Sequence, residues 1–285
     1  MSGLHGILAA QNHDGAFPAR AHFNGPGRPG VPDANAFVTV HVVRCLMTAS
    51  PSDLASAGID RALDYLQRCR HRPGAYGFWP PDSWPAWAPR FGPDADDTAL
   101  LADTLLTVGR MAGRDVDNCV AELSRDRISI DRPTPEWLRP AAFGTWLDRP
   151  GLVDCTVNAN VVAFLARAGW GDWRRCRAVL AMIDNALRWS RGSWPRLASL
   201  SPFYPDPTHM RAALARAATA GATGAAAVLA RSEEVLACTR PVRPPPAPPI
   251  VCCSAYGVVR WTSPVLQAAH ALTTTVSSAP GTPAG

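Results

Sequence analysis

The chain has 285 residues, of which 47% are apolar types and 18% are charged, so it can bury a sizeable core and is not disordered by composition. Its net charge is +5, and all 28 basic residues are Arg, scattered as at Arg20, Arg44, Arg72, Arg110, Arg167 and Arg231. This pattern argues against nucleic acid as the main partner. No apolar run approaches the roughly 20 residues that span a bilayer. Met1 to Ala10 carries neither a basic leader nor a long apolar stretch, so a cytoplasmic protein is expected.

Internal repetition organises the chain. Gly15-Ala16-Phe17-Pro18 is followed by Asp33-Ala34-Asn35 and a helix-like run from Ala36 to Met47. Pro51, Ser52 and Asp53 then open a second helix reaching Arg68. The unit returns as Gly77-Phe78-Trp79-Pro80, then Asp94-Ala95-Asp96, a run from Thr98 to Met111, and a helix from Asp115 to Leu123. A third copy reads Gly144-Thr145-Trp146, Asn158-Ala159-Asn160, Val161 to Ala168 and Asp172 to Arg188. In the fourth, Gly192-Ser193-Trp194-Pro195 precedes Asp206-Pro207-Thr208 and a helix from Gly221 to Cys238. A degenerate fifth runs from Gly257 to Trp261, with Thr262-Ser263-Pro264 after it.

Asp and Asn are good N-caps, and carboxylates suit the positive end of a helix dipole. Alternating strand patterns are scarce. The sequence therefore predicts an all-α chain of about five helix pairs, which stack as a solenoid or close as an α/α toroid with one helix of each pair inside. A single domain is expected over residues 1–276. A polyproline-like connector at 240–249 precedes the last inner helix, and residues 277–285 form a disordered tail. None of the eight cysteines lies in CxxC spacing, so free thiols in a reducing compartment are expected.

Gly77-Phe78-Trp79-Pro80, followed by Pro93-Asp94-Ala95-Asp96-Asp97-Thr98-Ala99, is similar to the D-x-D-D-T-A segment of class II terpene cyclases, the squalene-hopene cyclase group. The Gly-x-Trp loops resemble the aromatic repeat of that superfamily, which also contains protein prenyltransferase β subunits. The repeat covers most of the chain, and the acidic motif one helix start. The resemblance implies an α/α toroid similar to one β-type domain of those enzymes. It also implies acid-initiated cyclisation or isomerisation of an isoprenoid, with no cofactor required. Such cyclases usually have two α-barrel domains, and this chain has room for one. Either the cavity is reduced, a second α-barrel subunit or a homodimer completes it, or the fold has been put to other work; peripheral membrane contact is compatible with the resemblance. The prenyltransferase zinc site is not carried over, because Asp154 and Cys155 are adjacent; the Cys-His-Gly element of lanthionine cyclases is absent.

The resemblance implies that Asp96 protonates an alkene or epoxide, with Asp94 and Asp97 positioning and polarising it. That role needs an acid still protonated near neutral pH, which burial and nearby carboxylates favour. The helix N-terminus opposes it by about 0.3–1 kcal/mol, less than full burial supplies. The resulting cation needs aromatic faces, and Trp79, Trp84, Trp87, Trp146, Trp194 and Trp261 lie near the loops; Trp79 is the substrate-binding candidate. By symmetry, Asn35 and Asn160 are expected where Asp96 sits in its own repeat. One mouth would then carry a polar ring of Asp33, Asn35, Asp94, Asp96, Asp97, Asp154, Asn158 and Asn160, with His209 as a further hydrogen-bond partner. Helix capping is the competing account of these residues. The ring also permits Mg²⁺ or Ca²⁺ at the mouth, or a hydrolytic pair of Asp96 with Asp33 or Asp154. A lipid- or partner-binding toroid without catalysis is the remaining alternative. There is no Gly-rich phosphate loop, GxSxG, HExxH or EF-hand loop.

Overall fold

A computed structural model describes residues 3–23, 29–49, 53–125, 135–139, 141–149, 152–239 and 249–277. The connector over 240–248 and the tail over 278–285 lie outside the described residues. In chain order the elements are α1 (Leu4–Ala9), β1 (Pro18–Phe23), β2 (Val31–Ala34), α2 (Ala36–Ala49), α3 (Asp53–Arg68), β3 (Arg70–Arg72) and β4 (Ala75–Tyr76). Then come α4 (Ala95–Thr107), α5 (Arg114–Ser124), α6 (Cys155–Leu165), α7 (Arg174–Ser190), α8 (Trp194–Ser199), α9 (Thr208–Thr219) and α10 (Ala225–Cys238). The described chain ends with β5 (Ile250–Cys253), β6 (Val259–Thr262) and α11 (Pro264–Ser277).

Helices dominate, and they form two layers. Most of α2, all of α6 and nearly all of α4 are buried, and α4 takes Asp96, Asp97 and Asp103 into the interior with its apolar residues. These pack in series, α11 on α2, α2 on α4, α4 on α6 and α6 on α9. Amphipathic partners cover them: α3 lies on α2, α5 on α4, α7 on α6, and α10 on both α7 and α9. The apolar stripes of α3, α5 and α7 face the inner layer, while most of their described Arg and Asp residues are exposed; Arg175 instead packs over Phe143.

The all-α expectation needs correction, because short strands are also present. An antiparallel sheet in the order β2-β1-β6-β5 pairs Arg20 with Thr262 and Phe23 with Val259, so the last repeat lies beside the first. A second, two-stranded sheet joins β3 and β4. Periodicity could not reveal these strands. The inward residues of β1 are Ala19 and Ala21, too small to stand out, and β2 contains Pro32 and Asp33.

The repeat is real, but its register differs from the one read in the sequence. The Thr39 hydroxyl accepts the Phe17 N–H at 3.1 Å, the Thr98 hydroxyl accepts that of Tyr76 at 2.9 Å, and Asn158 Oδ1 accepts that of Phe143 at 2.8 Å. The equivalent aromatic triplets are therefore Gly15-Ala16-Phe17, Gly74-Ala75-Tyr76 and Ala141-Ala142-Phe143. Gly15 and Gly74 have φ of +93° and +77°, and a Cβ at either would come within 2.0 or 2.2 Å of a carbonyl oxygen of α3 or α5. Only glycine allows that turn to press against the outer helix.

A second stitch links neighbouring repeats. The first amide of α2 donates to Phe78 O, that of α4 to Thr145 O, and that of α6 to Leu200 O, at 2.8–2.9 Å. Each loop thus satisfies an N–H that the preceding inner helix leaves without an intrahelical partner. The fourth copy of the Gly-x-Trp loop is therefore Ser199-Leu200-Ser201, whereas Trp194 begins α8.

Candidate active site

The acidic segment forms the first turn of α4. Asp94 has extended backbone and caps the helix, its Oδ1 accepting the Asp97 N–H at 2.8 Å. Asp94, Asp96 and Asp97 are only 7%, 8% and 3% exposed. Three carboxyl groups so close and so dry cannot all ionise cheaply.

They divide into two environments. Asp96 Oδ1 accepts from Asn160 Nδ2 at 2.7 Å, and Oδ2 accepts a short hydrogen bond from the Tyr204 hydroxyl. Asn160 Oδ1 in turn accepts from Arg216 Nη2 at 2.6 Å. Burial pushes the Asp96 carboxyl up, while Tyr204, Asn160 and the charges of Arg216 and Arg44 pull it back part of the way. Asp97 is instead hydrogen-bonded to Asp94, and burial plus the Asp94 and Asp96 charges push it well above the usual carboxylate range. Burial also lifts Asp94, to about 7. Asp97 Oδ1 is buried with no hydrogen-bond partner. Burial thus favours the protonated form of the Asp94–Asp97 pair, while a carboxylate at Asp96 is held by two donors.

A cavity of about 320 Å³ opens over these acids. Phe37, Phe78, Phe91, Trp146, Phe203 and Trp261 wall it, with Tyr204 beside Asp96. Phe91 lies edge-on to Trp146 at 5.4 Å between ring centroids, and Phe78 to Trp261 at 5.0 Å. Such a wall suits a hydrocarbon, and its π-faces stabilise positive charge.

None of the other expected ring residues lines this cavity. Asp33 accepts from the indoles of Trp79 at 2.9 Å and Trp261 at 2.7 Å, and from Asn35 at 2.9 Å. It faces a separate recess of about 860 Å³ that contains none of the α4 acids. Trp79 is buried behind the cavity wall, against Phe78, Phe91 and Trp261. Asn35 caps α2 through Val38 N at 2.9 Å. Asp154 caps α6 through Thr156 and Val157, and also accepts from Phe203 N at 3.0 Å. Asn158 holds Phe143 by both backbone groups. Asn35 and Asp154 thus occupy the place of Asp94, not that of Asp96. Asn160 lies a turn deeper in α6 and reaches Asp96 across the helix interface. The ring of His209 packs against Tyr204 at 5.3 Å between centroids, and burial pushes its pKa down to about 4.

Tyr204 and Arg216 are the main residues that sequence reasoning left without a role. Arg216 could have been noticed as an arginine among the buried positions Ala213, Leu214 and Ala217 of α9. Tyr204 carried a weaker signal, an aromatic just ahead of an inner helix. Among the described residues, no group of three or more His, Cys, Asp or Glu is arranged to hold a metal ion. All eight cysteines are free. No helix among the described residues is long and apolar enough to cross a membrane.

The sequence matches no protein-family model and no curated protein. Solved structures do match the fold. A variant of the type II terpene cyclase MstE from Scytonema, without ligand, is 16% identical with a TM-score of 0.51; the match covers 80% of this chain and 59% of that one. Another MstE variant, in complex with its substrate geranylgeranyl dihydroxybenzoate, is 14% identical with a TM-score of 0.53, over 97% and 76% of the two chains. A protein from Actinoplanes is 18% identical with a TM-score of 0.51, over 83% and 72%. The chain therefore has a class II terpene cyclase-like fold, and the match spans about 59% of the length of the first of these relatives.

Proposed function

We propose that this protein is an acid-initiated terpene cyclase that binds the hydrocarbon of an isoprenoid in the aromatic cavity. The inner helices then form an α/α toroid, with the α4 acids at one mouth. The observation that carries this reading is a trio of buried carboxyls at the base of a cavity walled by seven aromatic rings. In the proposed step, the Asp96 O–H bond breaks and the proton joins an alkene carbon or an epoxide oxygen. The alkene π-pair forms the new C–H bond, leaving a carbocation; for an epoxide, the C–O bond opens instead. The electron pair of the broken O–H bond stays on Asp96, where Tyr204 and Asn160 stabilise it. Ring closure moves the cation, aromatic faces shield it, loss of a C–H proton to water ends the reaction, and Asp96 regains a proton from solvent, so the net change is an isomerisation.

Burial favours the protonated form of Asp96 before reaction, and Asp94 and Asp97 position and polarise it. The resemblance points to Asp96, and the unpartnered oxygen of Asp97 makes that residue the alternative donor. A second α-barrel, from another subunit or a second copy, would cover the mouth and enlarge the cavity. This is consistent with the partial span of the match to MstE.

The test is product analysis by gas chromatography and mass spectrometry. Purified protein is incubated with squalene and with geranyl, farnesyl and geranylgeranyl diphosphates, beside Asp96→Asn and Asp97→Asn. A cyclic product from wild type, reduced about 100-fold or more in Asp96→Asn, supports the assignment. Full activity in Asp96→Asn would remove Asp96 as the acid. A folded wild type giving no product with any substrate would favour a lipid-binding toroid.

A further inference from the structure

A second cavity, of about 650 Å³, lies on the far side of Phe37 and Tyr204, which line both cavities. Its chemistry is the opposite of the first. Arg44 of α2, Arg167 in the turn after α6, and Arg211 and Arg216 of α9 line it, against the single carboxylate of Asp103. Asp103 serves two of these arginines, with Arg44 Nη2 at 2.7 Å and Arg167 Nε at 2.5 Å. Arg211 has only a loose contact with Glu233, at 3.9 Å. Arg216 donates to a neutral acceptor, Asn160 Oδ1.

The wall is thus over-supplied with cations. Two of its polar atoms, Arg44 Nη1 and His41 Nε2, are shielded from solvent and have no hydrogen-bond partner. A buried charge or donor left without a partner is costly, and native proteins satisfy nearly all of them. A hydrocarbon would leave these groups unsatisfied, and a metal cation would be repelled. An oxyanion with several oxygens matches arginine forks, which bind such groups bidentately. Thr208 also lines the cavity and can supply a neutral hydroxyl donor, while the hydroxyls of Thr48, Thr107 and Thr273 already donate to the carbonyls of Arg44, Asp103 and His270. The volume lies within the range of ordinary ligand pockets, about 300–1,000 Å³.

We propose that this second cavity binds a phosphate-class oxyanion, separate from the hydrocarbon site across Phe37 and Tyr204. Inorganic pyrophosphate and the phosphate of a small organic ester share the chemistry required. The proposal stands without the cyclisation reading, since binding can be measured with no turnover.

Isothermal titration calorimetry on the full chain tests it, using inorganic pyrophosphate, geranyl diphosphate and a chloride control of equal ionic strength. Wild type is expected to bind pyrophosphate saturably, one per chain. Arg44→Gln should weaken binding roughly 10-fold or more, the scale of one lost charge-assisted contact. Because Arg44 also holds Asp103, Arg211→Gln is the companion variant; its side chain is 49% exposed and its loss leaves the packing intact, as circular dichroism would verify. Geranyl diphosphate binding tighter than pyrophosphate, with the same arginine dependence, would identify an organic ester as the ligand. Equal affinity would identify the free anion. The proposal is overturned if pyrophosphate gives no saturable heat, or if both variants bind it as wild type does. It is also overturned if geranyl diphosphate alone binds and neither variant weakens it. Product analysis with the same proteins reports on the aromatic cavity separately, so the two readings can fail independently.

Discussion

The two cavities on either side of Phe37 and Tyr204 are built from the same inner helices, yet one is aromatic and acidic and the other cationic. On α2, Phe37 faces the first, while His41 and Arg44 line the second. These positions are four and three residues apart, a single helical face read from one end to the other. On α4 the acids stand at the start, and Asp103, Thr104 and Thr107 lie two turns further on. Carboxyls gather at helix N-termini, and Arg216 sits in the last turn of α9. Helix dipoles favour this polarity at both ends. One layer of helices can therefore carry an acid site and an anion site back to back, provided a plug separates them. Phe37 and Tyr204 form that plug, with ring centroids 5.7 Å apart.

The largest expected effect lies on the acid side alone. Asp96→Asn should reduce product about 100-fold or more while leaving pyrophosphate binding saturable. Loss of both together would mean that the two cavities act as one site. Tyr204→Phe comes next. It removes the hydroxyl that donates to Asp96 Oδ2 but keeps the ring of the plug. A hydrogen bond to a charged group is worth about 1.5–3 kcal/mol, so turnover should fall roughly 10- to 100-fold, with substrate KM nearly unchanged. An equal change in KM alone would assign Tyr204 to binding and not to stabilising the Asp96 carboxylate.

The acid pair should also appear in stability. Asp94 and Asp97 are raised in the folded chain, Asp94 to about 7, while an unfolded Asp titrates near 3.9, about the model-peptide value. Between these values the folded state holds a proton that the unfolded state has lost. The Asp94 contribution is therefore fully present below about pH 4 and is lost as pH rises through about 7, and Asp97, also raised, acts in the same direction. Asp97→Asn removes one charge and relieves Asp94. Denaturant midpoints measured across this window should converge as pH falls, with the variant gaining on wild type toward pH 8. A constant difference would mean that the pair is already ionised.

The parts of this arrangement that the sequence revealed were those with local causes. The inner and outer helices could be read because α3, α5 and α7 are strongly amphipathic, whereas α2, α4 and α6 carry long apolar runs with few charges. The α4 acids could be read because they are contiguous. What stayed hidden depends on contacts between distant segments. Tyr204 and Asn160 meet Asp96 from α6 and the loop before α9, and no spacing encodes that meeting. The register of the repeat was misjudged for a related reason. Matching Gly-x-aromatic strings aligned Phe17 with Trp79, whereas backbone hydrogen bonding to Thr39 and Thr98 aligns Phe17 with Tyr76. Tyr76 lies in a Gly-Ala-Tyr triplet just before the more conspicuous Gly-Phe-Trp, so the stronger pattern concealed the equivalent one.

That corrected register yields the smallest prediction and the cleanest control. Asn35 sits where Asp94 sits, as the cap of its helix, and Asp33 rather than substrate receives its Nδ2. Asn35→Ala should cost about 1 kcal/mol of stability, the usual value of a lost N-cap. It should leave both the product distribution and pyrophosphate affinity at wild-type levels once the protein is folded. If Asn35 instead stood where Asp96 stands, as string matching suggests, the substitution would alter turnover at unchanged stability. Chemical denaturation and product analysis on the same sample separate these outcomes, because the cap acts on folding and the acid on the reaction.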